Sequence, residues 1–308
     1  HIFEEGYLRP YWITYERGGS NGHSRLMDLS VKELVPSRIP APKGPSPPIN
    51  WGDLRQHVFY GALYHGLVLL GGWAYPTFVH HRPLPLMAEW KNYALRLLSL
   101  PWSGLRRGWD TARLLRRKQD YFIVLLQLEH DSAMQEHSHY QTHHAFAAHV
   151  IQEFAQCRNT EDLLVFKCHP LEARTGQLRR DIRSLAKDHT IAHRVVFLGG
   201  GKLAAVLDRA KAALTLNSTA GQQVLLRGKP LKAFGRAIYS KPAFVSRQTT
   251  QRFFEAPKPP NRTAYRKFQQ YLLEASQITG GFYASKGRSK ALPKVVEKML
   301  QDVDPYSQ

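Results

Sequence analysis

Polar residues with the potential for chemistry follow short apolar runs in the second half of the chain. They are Asp131 after residues 121–128, His169 and Pro170 after 163–168, and Asn217, Ser218 and Thr219 after 212–216. A carboxylate after a strand can act as a nucleophile or base, or it can cap the next helix; both roles stay open for Asp131. A histidine before proline is held extended and can bind phosphate or transfer protons. Hydroxyl residues before a helix form either an anion site or a plain N-cap.

A second group stands at the start of the chain, where Glu4 and Glu5 follow Phe3 and precede Gly6. The pattern predicts a strand that ends in two carboxylates. Acids at the carboxyl end of a strand occupy the place where α/β enzymes do chemistry, although a solvated loop is the simpler interpretation. Because the chain begins without methionine, we expect part of a domain to precede residue 1.

Alternating strands and helices must position these groups. The apolar runs predict strands at 121–128, 163–168, 194–198, 212–216 and 230–234, and helices at 145–156, 178–187, 203–210, 221–227, 265–275 and 292–300. Short strands that alternate with helices indicate a parallel, doubly wound sheet, which binds ligands beyond the carboxyl ends of its strands. The sequence contains neither a Walker motif nor a dinucleotide fingerprint, so Gly199, Gly200 and Gly201 are interpreted as a turn.

The composition favours anionic partners. The chain has 308 residues, enough for about two domains, and 43 Lys+Arg against 24 Asp+Glu give it a net charge of +19. Two cysteines, Cys157 and Cys168, argue against a disulfide framework and are typical of the reducing cytosol. A nucleic-acid-binding protein is the alternative from another class, but no such motif is present.

The first half carries a basic, aromatic segment. A proline-rich connector is predicted at 36–50, followed by helices over 51–118 that mix Arg and Lys with Trp, Tyr and Leu. This mixture suits an anionic membrane surface or a solvated basic face over a core. Residues 58–79 carry no Asp, Glu, Lys or Arg, yet glycines and Pro76 interrupt them, so a buried or interface-docked helix is favoured over a membrane span.

Histidines are dense between residues 130 and 144. They are His130, His137, His139, His143 and His144. Neither cysteine nor acidic residues stand among them at a recognised metal spacing, so we expect no bound metal.

The ordered motifs resemble those of the bacterial capsule polysaccharide β-Kdo transferases of the KpsS and KpsC type. They are Glu4-Glu5-Gly6, Glu16-Arg17-Gly18-Gly19, Leu126-Gln127 with Asp131-Ser132, Lys167-Cys168-His169-Pro170, Asn217-Ser218-Thr219-Ala220-Gly221 and Gly228-Lys229-Pro230. The resemblance extends from residue 1 to about residue 285, and the single copy of each motif is closer to KpsS. Cys168 departs from the pattern, where His or a similar polar residue is expected.

The resemblance implies a GT-B-type fold with two Rossmann-like domains facing across a cleft, the first incomplete here. It assigns 1–118 to the acceptor-side domain with a basic helical insert, 119–262 to the CMP-sugar domain and 263–308 to helices packing back across both. It implies transfer of 3-deoxy-D-manno-oct-2-ulosonic acid (Kdo) from CMP-Kdo to a phosphatidylglycerol lipid, with no cofactor and no nucleic acid. A sialyltransferase or another CMP-sugar transferase on the same scaffold is the alternative.

The resemblance also implies the site. The CMP-sugar positions are Gln127, Ser132, Lys167, His169, Pro170, Asn217, Ser218, Thr219 and Gly221. Retention of anomeric configuration requires a carboxylate nucleophile and an acid/base. Asp131 is the expected nucleophile, Glu5 or Glu4 the acid/base, and Arg9 and Arg17 contacts for the sugar carboxylate or phosphate. We expect a cytoplasmic enzyme, peripheral on the inner membrane face and associated with other capsule synthesis and export proteins.

Overall fold

The computed structural model describes residues 1–9, 11–32, 53–75, 77–78, 86–129, 132–157, 161–169, 172, 175–282, 284–301 and 303–306. The strands are β1 Ile2–Glu5, β2 Trp12–Glu16, β3 Tyr121–Leu125, β4 Leu163–Lys167, β5 Val195–Leu198, β6 Ala212–Thr215, β7 Leu231–Ala233 and β8 Gln277–Thr279. The helices are α1 Asp53–Gly71, α2 Leu86–Leu115, α3 Ser132–His137, α4 His143–Gln156, α5 Thr175–Asp188, α6 Leu203–Arg209, α7 Ala220–Leu226, α8 Thr250–Glu255, α9 Arg262–Ala275 and α10 Ser285–Gln301.

A five-stranded parallel sheet forms the centre of the protein. Its strand order is β5-β4-β3-β6-β7, so the chain moves outward in one direction from β3 and then returns to the other side of it. Every residue of β3, β4 and β6 is buried, because helices cover both faces of such a sheet. The predicted α/β class with a doubly wound parallel sheet is confirmed.

Each face of this sheet has its own apolar core. On one face, α4 contributes Phe146, Val150 and Phe154, which recur every four residues and therefore share one side of the helix. On the other face, Val224 and Leu225 of α7 pack with residues of α9, Tyr265 and Phe268 among them. Successive side chains of a strand point to opposite faces, so β3 contributes Ile123 to one core and Val124 to the other. Because both faces are buried, this alternation fixes the register of the sheet.

The second described sheet is antiparallel and small. Its order is β1-β2-β8, with β8 arriving from near the end of the chain. Ile13 and Tyr15 of β2 pack on Ile278 and Ala291, so α10 covers one face. This arrangement corrects one expectation: Glu4 and Glu5 do end a strand, but that strand is antiparallel, so the argument from parallel carboxyl ends does not apply to them.

Helices α1 and α2 lie within the segment 51–118 that was predicted to be helical, and they pack against each other. Gly66 lets Trp90 approach closely, with the indole nitrogen 3.1 Å from a Cβ built at that glycine. Helix α2 also packs on the glycine turn after β5, where a Cβ at Gly200 or Gly201 would overlap Arg107 or Thr111.

None of the helices within the described ranges combines the length and apolarity needed to cross a bilayer. The proline-rich connector lies outside the described residues.

Candidate functional site

The strand order reverses between β3 and β6, and at such a switch point a doubly wound sheet forms a crevice beyond the carboxyl ends of its strands. Leu125 and Thr215 are paired in the parallel register, and the Thr215 hydroxyl donates to the Leu125 carbonyl oxygen over 3.0 Å. Gln127 and Asn217 lie two residues beyond the ends of β3 and β6, and both are buried. Ligands of doubly wound sheets bind at this switch point, so the structure brings two of the predicted site residues to its edge.

Gln127 carries an unsatisfied amide. Its side chain is buried, and neither its nitrogen nor its oxygen has a hydrogen-bond partner among the described residues. A buried polar group without a partner costs about 1–3 kcal/mol, and native proteins rarely leave one in place without a reason. Among the described residues, the amide therefore has hydrogen-bonding capacity that the protein itself does not use.

His143 lies beside Gln127, a placement that the sequence did not indicate. Its imidazole hydrogen-bonds to the Gln127 backbone, while Nε2 is buried without a partner among the described residues. Its backbone N–H donates to Glu129 over 2.9 Å, and the Glu129 N–H donates to Glu172 over 3.3 Å. Burial lowers the pKa of His143, and the two glutamates act in the opposite direction. A neutral, oriented imidazole thus adjoins the predicted site.

Lys167 ends β4, the strand next to β3. It is buried, and this burial lowers its pKa to about 8, with a smaller effect of Arg107 in the same direction. A partly desolvated ammonium gains much from an anionic ligand.

The neighbouring Cys168 is buried, and its pKa is raised to about 11, chiefly by burial, so the thiol is inert rather than nucleophilic. The partly buried His169 follows directly.

The turn from β6 into α7 presents two hydroxyls. Ser218 Oγ accepts from the Ala220 N–H over 3.2 Å, which leaves its own proton free to donate, and Thr219 makes no side-chain capping bond. Tyr239 fixes the turn by donating to the Ser218 carbonyl oxygen over 2.5 Å. A Cβ at Gly221 would lie 2.6 Å from the Tyr239 hydroxyl, so close packing accounts for that glycine.

The two N-terminal acids do not act as a pair. Successive strand residues point to opposite faces. Glu4 accepts from the Ser20 hydroxyl and the Asn21 amide, each over 2.8 Å. Glu5 instead forms an ion pair with Arg9. Arg17 is partly buried and follows β2.

Glu16, which opens the motif Glu16-Arg17-Gly18-Gly19, is a buried carboxylate whose structural role the sequence did not indicate. It accepts hydrogen bonds from Tyr7 and Ser24, each over 2.6 Å, and from Tyr306 over 2.5 Å. Burial raises its pKa, and these three donors oppose the rise. Glu16 therefore ties the N-terminal strands to the end of the chain.

Contacts bring the N-terminal segment to the crevice. The Gln222 amide on α7 donates to the Tyr7 carbonyl oxygen over 2.6 Å. Gly22, next to Asn21, lies so near His137 that a Cβ there would be 2.5 Å from the ring. The His137 carbonyl oxygen in turn accepts from the Asn217 amide over 3.5 Å. Glu4, held by Asn21, is thereby linked through two contacts to the switch point.

Some predicted residues lie outside the described set. They are Asp131 and Pro170, together with the side chain of Ser132. The predicted histidine cluster divides: His137 lies with His23 and Glu136, whereas His143 belongs to the crevice.

Known proteins resemble the chain over nearly its whole length. A family model described as "Capsule polysaccharide biosynthesis protein" matches residues 1–283. The capsule polysaccharide modification protein LipB of Neisseria meningitidis serogroup A is 28% identical over 297 residues, covering 92% of this chain and 68% of LipB. The capsule polysaccharide export protein KpsS of Escherichia coli is 28% identical over 287 residues, covering 91% of this chain and 72% of KpsS.

Solved structures show weaker likeness. KpsC of Thermosulfurimonas dismutans, a beta Kdo 2,7 transferase, is 13% identical with a TM-score of 0.46, covering 98% of this chain and 77% of that one. Anabaena HepE, in complex with UDP and glucose, is 11% identical with a TM-score of 0.36, covering 65% and 52%. Because both scores are low, the fold assignment rests on the strand order.

Proposed function

The chain belongs to the family of capsule polysaccharide biosynthesis proteins, and from this premise we propose that it is a retaining β-Kdo transferase. The donor is CMP-Kdo, the acceptor is a phosphatidylglycerol-type lipid, and the product begins the poly-Kdo linker of a capsule. The observation that carries the proposal is the unsatisfied Gln127 amide at the switch point, two residues beyond Leu125, which pairs with Thr215. The enzyme would work in the GT-B arrangement that the motifs imply.

Donor binding follows from the groups at the sheet edge. CMP-Kdo carries a phosphodiester and a sugar carboxylate, both anionic. The buried ammonium of Lys167 and the free hydroxyl protons of Ser218 and Thr219 supply donors for these charges without a cofactor. The Gln127 amide can meet the donors and acceptors of the base or sugar.

Retention needs two displacements. The Asp131 carboxylate attacks the anomeric carbon, and the electron pair of the broken bond leaves on the CMP phosphate. The acceptor hydroxyl then attacks the same carbon, releases Asp131 and gives its proton to a glutamate. Glu4 suits this second role better than Glu5, because Glu4 is linked to the crevice by Asn21 and Glu5 is paired with Arg9.

Helix α2 supplies a membrane-facing surface, which we call the α2 stripe. Its apolar members recur at helical spacing and are exposed: Leu95, Leu98, Trp102, Leu105 and Trp109. Exposed cations adjoin it, namely Lys91, Arg106, Arg113 and Arg116. Apolar burial combined with attraction to anionic headgroups would hold such a helix in the interface plane. Because α2 packs on the turn after β5, the lipid acceptor would be delivered near the carboxyl edge of the sheet.

The test is CMP release from a panel of CMP-sugars with phosphatidylglycerol vesicles present. The proposal expects turnover with CMP-Kdo that requires the lipid. Turnover with CMP-sialic acid alone would replace the Kdo proposal with a sialyltransferase. If no CMP-sugar is hydrolysed or transferred while the protein binds nucleic acid, the protein is a nucleic-acid-binding protein and not a transferase.

A further inference from the structure

A cluster outside the proposed donor site joins two distant parts of the chain. His23 lies in the short 3-10 helix Asn21–His23, and Glu136 and His137 end α3. The His23 Nε2 and Glu136 Oε2 atoms are 3.9 Å apart, and the rings of His23 and His137 meet edge to face with centroids 4.5 Å apart. One ligand atom from each of the three residues lies within 4.8 Å of the other two.

We propose that His23, Glu136 and His137 bind one divalent transition-metal ion of the zinc class. Two imidazoles and one carboxylate are a donor set that zinc uses when it keeps a fourth position open. Oxygen-preferring ions such as Mg²⁺ or Ca²⁺ are disfavoured by two nitrogen donors.

The geometry needs only a small adjustment. Bonds of about 2.0–2.1 Å in a tetrahedron place ligand atoms about 3.4 Å apart. His137 is held by its burial and by the close approach of Gly22. The side chains of His23 and Glu136 are 65% and 60% exposed, so both can rotate inward without disturbing a core.

The ion would clamp the N-terminal segment onto the parallel-sheet part of the protein. His23 follows Asn21, which holds Glu4, whereas the His137 carbonyl oxygen accepts from Asn217 at the crevice. A metal bond across this junction adds a tether that does not depend on the proposed donor or acceptor. The site is therefore testable on the full chain without any transferase assay.

The experiment is a titration of the full chain, purified with a tag that lacks histidine, with Co²⁺ and then Zn²⁺. The expected result is one Co²⁺ per chain with the visible absorption of a low-symmetry N/O site, displaced by one Zn²⁺. His23→Ala and Glu136→Gln should abolish this one-to-one binding while leaving the circular dichroism spectrum unchanged, since both side chains are exposed. His144→Ala, an exposed histidine outside the cluster, is the matched control and should bind normally.

Two results would overturn the inference. Co²⁺ that binds weakly and without fixed stoichiometry would show that the three residues form only an ion pair and a ring contact. One-to-one binding that survives both substitutions, or that His144→Ala also removes, would place the metal elsewhere. Since neither readout involves CMP or lipid, failure here would leave the proposed transferase activity untouched.

Discussion

Replacing Gln127 by Met tests whether its amide exists for a ligand. The side chain is 5% exposed, and both of its polar atoms lack partners among the described residues. A buried amide left unsatisfied costs about 1–3 kcal/mol in all, and Met fills a similar volume, so Gln127→Met should stabilise the ligand-free protein by about 1–3 kcal/mol. The gain corresponds to a rise in Tm of a few degrees. Binding of CMP-Kdo should fall at the same time.

Gln222→Met is the matched control, because Gln222 is equally buried but fully engaged. Its amide donates to the Tyr7 carbonyl oxygen over 2.6 Å and accepts from the Tyr265 hydroxyl over 3.1 Å. Removing it leaves buried groups unpaired, so this variant should lose about 2–4 kcal/mol. Urea unfolding of both variants, with and without CMP, separates the two cases. A Gln127→Met protein that is as destabilised as Gln222→Met would refute the reasoning.

Three further predictions concern catalysis, electrostatics and stability. Asp131→Asn should lower transfer about a thousandfold or more in a CMP-release assay, and full activity would exclude it as nucleophile. Because the pKa of Lys167 is about 8, donor affinity measured by calorimetry should fall as pH rises through 8, and Lys167→Met should bind weakly without that dependence. Glu16→Gln should cost about 1–3 kcal/mol in urea unfolding at pH 7. Burial raises the pKa of Glu16 in the folded protein, so the protonated Glu16 stabilises the fold at acid pH and this stabilisation is lost as pH rises through the folded-state pKa. The difference in unfolding free energy between the wild type and Glu16→Gln should therefore widen as pH falls toward 4.5. An unchanged deficit would contradict that sign.

The parallel sheet could be predicted because its strands are continuous apolar runs. The chain 121–125, for example, is aromatic or β-branched at four of five positions and is buried throughout. The polar residues that follow the run 212–216 indicated Asn217, whereas Gln127 lies inside the predicted strand 121–128 and was implied only by the family resemblance. In this part of the protein, the apolar pattern and strand propensity of each segment favour the same structure that tertiary packing requires, so the sequence alone predicts it.

The arrangement of the N-terminal half of the site could not be predicted, because long-range pairing decides it. Strand β8 has three residues and pairs with β2 across most of the chain, and no local pattern encodes that partner. Glu16 stands in a motif of the family resemblance, but its buried hydrogen bonds have no local signal, since the donors Ser24 and Tyr306 lie 8 and 290 residues away. His23 and Glu136 meet for the same reason, through a contact between segments that sequence spacing does not connect.

The most direct test of the central claim is analysis of the lipid product. The full chain is incubated with CMP-Kdo and phosphatidylglycerol vesicles, and the lipid is examined by mass spectrometry and NMR. The account predicts a lipid heavier by one Kdo residue, joined through a β linkage, and no such product from Asp131→Asn. An unmodified lipid, or an α-linked sugar, would contradict the proposed retaining transfer.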